Sequence, residues 1–166
     1  ARVYERLYMI HFIGNGGHAK VVREALAEAV GQFPPDIRPD GEFSFVAVGD
    51  NAARKKESLV APHPFVTIIH PSAIVSPSAK IGEGTVIMAG VVVQAEAVIG
   101  KHCILNSGAT VDHDCVIGDY AHIAPGVHLC GAVEVGEGAL VGVGSCAPPG
   151  VKIAAWSLVK AGSVAR

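Results

Sequence analysis

Two stretches of the 166-residue chain combine residue types that could do chemistry. In the first, His113 is followed directly by the carboxylate of Asp114, and His122 lies nine residues further on. A histidine exchanges protons near neutral pH, because its ordinary pKa is about 6.5. A single surface histidine is more often just a solvated side chain. The adjoining carboxylate makes His113-Asp114 the stronger candidate for a site.

The second stretch is a glycine-rich loop, Gly14-Asn15-Gly16-Gly17-His18-Ala19, which fits the pattern G-x-G-x-x-[G/A]. The apolar run 7–13 predicts a buried strand before the loop, and 20–30 predicts a helix after it. Backbone N–H groups at a helix start favour a phosphate. A tight turn without a ligand also fits this pattern, so the motif alone leaves both interpretations open.

The rest of the N-terminal part predicts a second strand and helix. Residues 43–49 are expected to form the strand, Asp50-Asn51 the helix start and 52–60 the helix, with Pro62 and Pro64 marking a linker. Residues 1–66 therefore indicate a small, abbreviated βαβα unit. The run 54–56, Arg-Lys-Lys, is interpreted as a solvated helix face. A dinucleotide site needs an acidic residue at the end of a second strand, about 20 residues beyond the loop. Asp36 and Asp40 have this spacing, but no strand precedes them in the sequence pattern. This argues against a dinucleotide as the ligand.

Composition excludes several classes of protein. The chain is 50% hydrophobic, 5% aromatic and 17% charged, with 20 glycines and a net charge of −2. Disordered chains carry fewer aliphatic residues, collagen needs glycine at every third position, and no basic stripe suggests a nucleic-acid surface. The longest apolar run is well short of the ~20 residues that span a bilayer. No secretory signal is visible and no C-x-x-C pair occurs, so we expect reduced cysteines and a cytoplasmic protein.

The strongest pattern is an internal repeat of six residues, which runs without insertion from 73 to 162. Of its fifteen hexads, fourteen have Val, Ile or Leu at the third position, and Ala147 is the exception. The first position is always small or β-branched. Residues two apart on a strand point to the same side, so both positions should face inward. The fourth position is often glycine, which we expect to serve the corners.

Short parallel strands separated by corners should form a triangular coil, with one hexad on each of its three sides. Fifteen hexads give five coils, a prism roughly 24 Å tall at the ~4.8 Å strand spacing. The same period places Gly131 directly above His113, because the two are separated by three whole hexads. Small first-position residues leave little room inside, which accounts for the scarcity of aromatic rings.

The repeat resembles the hexapeptide-repeat family of left-handed parallel β-helices, many of which are homotrimeric acyl- or acetyltransferases. Four segments, NGGHAKVV, VAVGDNAARKK, IIHPSAIVSPSA and LNSGATVDHDCVIGDYAHIAPG, make the likeness narrower. They resemble the sugar O- and N-acetyltransferases of the sialic-acid and bacillosamine pathways. The resemblance implies an abbreviated Rossmann-like α/β domain at 1–66 that binds a nucleotide sugar. It implies a left-handed parallel β-helix of about five coils at 67–166 as the acetyltransferase domain.

The resemblance also implies roles for individual residues. The catalytic residues would be the general base His113, its acidic neighbour Asp114, and Gly131, whose N–H would stabilise an oxyanion. Acetyl-CoA would be contacted by His122 and by the main chain of Val143 and Ala161. The sugar pocket would contain Gly16, Gly17, His18 and Gly49, and Asn106 would be a polar residue near the base that positions the sugar amine.

The expected activity is transfer of acetyl from acetyl-CoA to an amino group, at C4, of a nucleotide-linked amino sugar, with UDP preferred. O-acetylation of sialic acid or another sugar hydroxyl remains open, and so does a non-catalytic scaffold or regulatory subunit that binds a nucleotide sugar. We expect a homotrimer with sites between protomers, no nucleic-acid partner and no membrane span. Zinc is not expected: γ-type carbonic anhydrases have two histidine ligands five residues apart, and His102, His113, His122 and His128 are separated by 11, 9 and 6.

Overall fold

The structure is a computed structural model that describes residues 10–29, 43–61 and 64–166. Its N-terminal part has the predicted order of elements: β1 Ile10–Ile13, α1 Gly17–Ala29, β2 Phe43–Val46 and α2 Asn51–Ser58. The two strands are parallel. The Asp50 carboxylate caps α2 by accepting the Ala53 N–H at 2.8 Å. Helix α1 begins three residues before the predicted start, while Asp36, Asp40, Pro62 and the predicted strand residues 7–9 lie outside the described residues.

The C-terminal part is a parallel β-helix of about five coils, as the period of six predicted. It is built from two-residue strands: β3 Ile68–Ile69, β4 Ile74–Val75, β5 Lys80–Ile81, β6 Val86–Ile87, β7 Val92–Val93, β8 Val98–Ile99, β9 Ile104–Leu105, β10 Thr110–Val111, β11 Val116–Ile117, β12 His122–Ile123, β13 His128–Leu129, β14 Glu134–Val135, β15 Leu140–Val141, β16 Cys146–Ala147, β17 Lys152–Ile153 and β18 Leu158–Val159.

Every third strand pairs in register, which gives three parallel sheets. Thr110, for example, lies opposite Val92 on one side and His128 on the other, each one coil away along the chain. Strand β3 joins the six-stranded sheet through β6, so the coil begins one hexad earlier than the pattern showed. Between Thr85 and Ala147 every first- and third-position side chain is buried, as predicted, and these residues form the core.

The expectation that fourth-position glycines serve the corners is corrected by the structure. A positive φ occurs at the sixth position of fourteen of the fifteen hexads, and non-glycine residues such as Asp114 (φ 59°) and Trp156 (φ 57°) adopt it too. Glycine at the fourth position has another cause. A Cβ added to Gly118 would lie 2.6 Å from the Glu137 backbone nitrogen, so this glycine lets successive coils approach closely.

The sixth-position conformation turns each N–H along the axis of the coil. The Ala132 N–H, for instance, donates to the His113 carbonyl at 2.9 Å, and the Gly150 N–H donates to the Gly131 carbonyl at 3.0 Å. Such ladders define three edges of the prism. The first edge contains 89–90, 107–108, 125–126, 143–144 and 161–162; the second contains 95–96, 113–114, 131–132 and 149–150; the third contains 83–84, 101–102, 119–120, 137–138 and 155–156.

Helix α2 packs against the third edge, and this overturns part of the interpretation of its basic run. Arg54 is 1% exposed and donates hydrogen bonds to coil carbonyls. Lys55 is half-buried: its Nζ is 2.5 Å from Glu137 and lies over the rings of Tyr120 and Trp156. Only Lys56 is a solvated side chain as expected. Among residues 10–29, 43–61 and 64–166, no helix is long and apolar enough to cross a membrane.

Candidate active site

His113 and Asp114 lie at the second edge, in the corner between β10 and β11. The Asp114 Oδ2 atom is 2.7 Å from His113 Nδ1, and both side chains are about 60% exposed. The hydrogen bond that His113 donates to Asp114 raises the pKa of His113, and the charge of Asp112 adds to this effect. Because the carboxylate occupies Nδ1, the neutral imidazole carries its proton there and presents Nε2 as the acceptor.

Gly131 lies one coil above, against the Nε2 side of this ring. A Cβ built on Gly131 would be 2.7 Å from His113 Nε2 and 2.6 Å from Cε1, so any side chain here would collide with the imidazole. Gly131 is buried, and its N–H donates to no acceptor in the described part of the chain. The period of three hexads therefore brings Gly131 to His113 as the sequence predicted.

Asp112 is a residue of this site that the sequence analysis did not single out. Its Oδ1 accepts the His113 N–H at 2.8 Å, a contact that fixes the backbone from which the imidazole projects. The carboxylate also lines a groove of about 280 Å³ on the face formed by β7, β10 and β13. The signal was present in the sequence, since His113 has an acidic residue on both sides.

A second group of residues meets where the N-terminal part contacts the coil. The loops that follow β1 and β2 bring His18 and Gly49 together, because the carboxyl ends of parallel strands share one edge. The ring centroids of His18 and His122 are 6.5 Å apart, and Asn106 Nδ2 is 3.2 Å from His122 Nε2. We call His18, Gly49, Asn106 and His122 the seam cluster.

Both histidines of the seam cluster are held neutral. Burial, followed by the charge of Arg54, lowers the pKa of His18 to about 4. Burial also lowers the pKa of His122 to about 4, with further contributions from Arg54 and His18. His18 Nε2 is buried and has no hydrogen-bond partner within 10–29, 43–61 and 64–166. An unpaired buried nitrogen is costly, so this atom is suited to a polar group of a ligand.

Gly16 and Gly17 lie at the start of α1, next to His18 in the chain. Both are exposed, and a Cβ built on either would meet nothing within 4 Å. Because neither residue has a side chain, there is free space beside the helix N-terminus. Gly49 differs, because a Cβ there would make an ordinary contact of 3.7 Å with His18.

Val143 and Ala161 lie on the first edge, one coil apart. Both are exposed, and neither N–H donates to an acceptor in the part of the chain that the structure describes. The carbonyl of Val143 is already engaged by the Gly162 N–H at 2.8 Å. Both N–H groups are therefore available to a ligand that lies along the first edge.

The structure thus separates the sequence-predicted residues into different parts of the surface. His113, Asp114 and Gly131 share the second edge, whereas Val143 and Ala161 share the first. Asn106, which was expected near the base, has side-chain hydrogen bonds with His122 on β12 and with the Ser107 N–H. Arg54, which the sequence analysis assigned to solvent, is in fact buried beside the seam cluster. Within the described residues, no group of three His, Cys, Asp or Glu side chains is arranged to hold a metal ion.

Comparison with known proteins agrees with this geometry. The family model for the bacterial transferase hexapeptide (six repeats) matches residues 78–113 and 96–131. A UDP-N-acetylbacillosamine N-acetyltransferase of Bacillus subtilis is 45% identical over 111 residues. That match covers 48% of this chain and 51% of the relative, so the chain spans about half the length of this curated protein.

Two solved structures match almost the whole chain. PerB from Caulobacter crescentus, in complex with CoA and GDP-perosamine, is 40% identical with a TM-score of 0.86, covering 95% of this chain and 88% of its own. The acetyltransferase domain of PglB from Neisseria gonorrhoeae is 35% identical with a TM-score of 0.86, covering 95% and 90%. The chain therefore belongs to the hexapeptide-repeat family of sugar N-acetyltransferases.

Proposed function

We propose that this chain transfers the acetyl group of acetyl-CoA to an amino group, at C4, of a nucleotide-linked amino sugar. The observation that carries the proposal is the His113–Asp114 pair, with Gly131 packed one coil above the ring; neither His113 Nε2 nor the Gly131 N–H has a hydrogen-bond partner among the described residues. The relatives support the substrate class: one structure contains CoA and GDP-perosamine, and one curated relative acts on a bacillosamine derivative.

The chemistry assigned to the second edge is a direct displacement. As the sugar amine attacks the thioester carbonyl, a C–N bond forms and His113 Nε2 takes a proton from the amine. Asp114 stabilises the resulting imidazolium, and the Gly131 N–H donates to the developing oxyanion. The C–S bond then breaks, the thiolate leaves as CoA, and a proton returned from His113 neutralises it.

Three members of the seam cluster, His18, Gly49 and Asn106, are assigned to recognition of the sugar substrate. Gly16, Gly17 and His18 surround the open start of α1, where backbone N–H groups favour the phosphates of a nucleotide sugar. His122 on β12, together with the main chain of Val143 and Ala161, is assigned to acetyl-CoA. The division into a nucleotide-sugar-binding domain at 1–66 and an acetyltransferase domain at 67–166 belongs to this proposal.

A second copy of the chain supplies the remaining part of the site in this proposal. The base lies on the second edge of one protomer, while the cofactor contacts lie on the first edge. A homotrimer would place the first edge of one protomer beside the second edge of the next, and this would join both sets. We assign the trimer to the cytoplasm, where acetyl-CoA is available to it.

A substrate panel tests the function. Purified protein would be given acetyl-CoA with UDP-, GDP- and dTDP-linked 4-amino sugars, with the corresponding 4-hydroxy sugars and with free sialic acid, and release of CoA thiol would be followed. Thiol release with one of the amino sugars, and an acetamide in the product, is expected. Transfer only to a hydroxyl would identify an O-acetyltransferase. Binding of a nucleotide sugar without any thiol release would indicate a non-catalytic scaffold.

The His113→Ala variant separates catalysis from binding in the same assay. We expect turnover to fall by ~100-fold or more while nucleotide-sugar binding and assembly are unchanged, because the lost group only moves a proton. Near-normal turnover in this variant would remove His113 from the mechanism. The exposed Lys56→Ala change, on the outer side of α2, is the matched control and should leave turnover unaltered.

A further inference from the structure

The N–H at the fifth position of each hexad is left without a backbone acceptor. The N–H groups at the second, fourth and sixth positions make the hydrogen bonds between neighbouring coils, whereas no fifth-position N–H between 73 and 162 donates to a backbone carbonyl. A side chain can take its place: the Lys101 N–H, for example, donates to Asp119 Oδ1 of the next coil at 2.7 Å. Side chains therefore decide which fifth-position N–H groups stay open.

Two fourth-position side chains accept the N–H that follows them in the chain. Asn106 Oδ1 accepts the Ser107 N–H at 2.9 Å, and Asp112 Oδ1 accepts the His113 N–H at 2.8 Å. These are the only Asn or Asp residues at a fourth position between 73 and 162, so every side chain of this kind forms the contact. Short carboxylate and carboxamide side chains commonly bond to nearby backbone groups in this way.

Cys130 occupies the position of Asp112 one coil further on, with the same backbone. The N–H groups of Asp112 and Cys130 both donate to a third-position carbonyl of the next coil, at 3.1 and 3.0 Å. The sixth-position residues that follow them, Asp114 and Ala132, have φ values of 59° and 58°. The two corners therefore differ in their side chains and not in their main chain.

The thiol of Cys130 does not close the N–H that follows it. Sulfur is a weak acceptor, and Cys130 Sγ makes no hydrogen bond within 10–29, 43–61 and 64–166. Gly131 is buried, and its N–H is likewise unpaired within these ranges. An unpaired buried N–H is rare and costs free energy, although Asp112 shows that a single carboxylate would remove the cost. A use for the open N–H explains why no such carboxylate is present.

The N–H groups assigned to the cofactor follow the same rule. Val143 and Ala161 come directly after Gly142 and Lys160, and neither of these side chains has an acceptor. All three N–H groups to which a ligand is assigned, those of Gly131, Val143 and Ala161, therefore follow a fourth-position residue that cannot close them.

We propose that Cys130 is a positioning residue for the reaction: its thiol leaves the Gly131 N–H open, whereas Asn or Asp at the same position would accept that N–H. The consequence for catalysis rests on the proposed function, in which this N–H stabilises the oxyanion. Closing it should reduce kcat by ~100-fold and change the KM for acetyl-CoA much less, because the lost interaction is made only in the transition state.

The test compares Cys130→Asn with Cys130→Leu, which has a side chain of similar size and no acceptor. Cys130 lines the groove of about 280 Å³, so both side chains have space there. NMR of the ¹⁵N-labelled protein reports the Gly131 amide without any need for activity. We expect its proton resonance to move downfield in Cys130→Asn relative to Cys130→Leu, as a new hydrogen bond requires.

Stability and turnover should change in opposite directions. Cys130→Asn should melt about 2–4 °C above Cys130→Leu, because a buried N–H gains a partner. Its kcat should nevertheless be ~100-fold lower than that of Cys130→Leu. A substitution that only damaged the structure would lower the melting temperature and kcat together.

Two results would overturn the proposal: a Gly131 amide resonance that is the same in both variants, or equal kcat values in variants whose Gly131 resonances differ. If Cys130→Asn does not fold, the exposed Lys160 offers the same comparison, with Ala161 as the reporter. No downfield shift of Ala161 in Lys160→Asn relative to Lys160→Leu would then overturn it. If the Gly131 resonance shifts as expected in a protein without acetyltransferase activity, the proposed function fails while the role of the fourth position stands.

Discussion

Gly131 and the His113 imidazole are packed so closely that a methyl group would not fit between them. A Cβ on Gly131 would lie 2.7 Å from Nε2, the nitrogen that Asp114 leaves unpaired. The pair therefore packs Gly131, whose N–H has no acceptor among the described residues, against the imidazole, although the two residues belong to different coils.

Replacing Gly131 with alanine should abolish activity with little effect on the fold. The new methyl group would displace the exposed imidazole, which can swing into solvent, so we expect kcat to fall by ~100-fold or more and the melting temperature to change little. Steady-state kinetics and thermal unfolding check this. Ala155→Ser, at the same hexad position on the third edge, is the control; normal kcat in Gly131→Ala would contradict the assigned arrangement.

Asp114→Asn should move the pH–rate profile. The carboxylate raises the pKa of His113, so its removal lowers that pKa. The acid limb of kcat/KM, along which the imidazole loses its proton, should therefore shift to lower pH, and the plateau should fall because the base is weaker. Asparagine tolerates the positive φ at this corner, which makes the change structurally mild. An acid limb at the wild-type pH would remove Asp114 from its role.

Acidification should destabilise the contact between the N-terminal part and the coil. Burial is the first cause that lowers the pKa of His102 to about 4, as it does for His18 and His122. An unfolded histidine titrates near pH 6.5, so the unfolded state binds more protons between pH 6.5 and 4. Stability is fully present above pH 6.5 and is lost as the pH falls toward 4.

His102→Asn tests this dependence. His102 has a positive φ and packs between Phe65 and Tyr120, so the variant should be less stable at pH 7. It should nevertheless lose stability less steeply between pH 6.5 and 4, because one titrating group has been removed. Chemical denaturation at a series of pH values measures the slope. An unchanged slope would show that His102 does not contribute.

Two glycine substitutions distinguish the two roles of glycine in the corners. In Gly118→Ala the new Cβ would meet backbone of the next coil, 2.6 Å from the Glu137 nitrogen, so we expect a loss of about 1–3 kcal/mol in the free energy of unfolding. Gly150→Asn should cost less, about 1 kcal/mol, because a Cβ there meets nothing within 4 Å and asparagine adopts its φ of 70°. Equal losses would contradict this distinction.

The period of six was sufficient to predict the coil and the placement of Gly131 over His113, because each coil repeats the same local contacts. It did not show which corner position has a positive φ, since residues as different as Glu96, Tyr120 and Trp156 adopt it. The burial of Arg54 was also missed. Its acceptors in the coil are 48 and 66 residues away in sequence, and no local pattern encodes them.

The ladders along the three edges have a consequence for how the chain can change in length. Each backbone hydrogen bond in these ladders joins residues of neighbouring coils, and the strand pairs join residues three hexads apart. Removing or adding three hexads together, after Gly131 in the chain, would preserve the backbone hydrogen bonds between the remaining coils and leave His113 beside Gly131. A change of a single hexad between those two would carry Gly131 to a different edge. The molecule can therefore be lengthened only in whole coils if its chemistry is to survive.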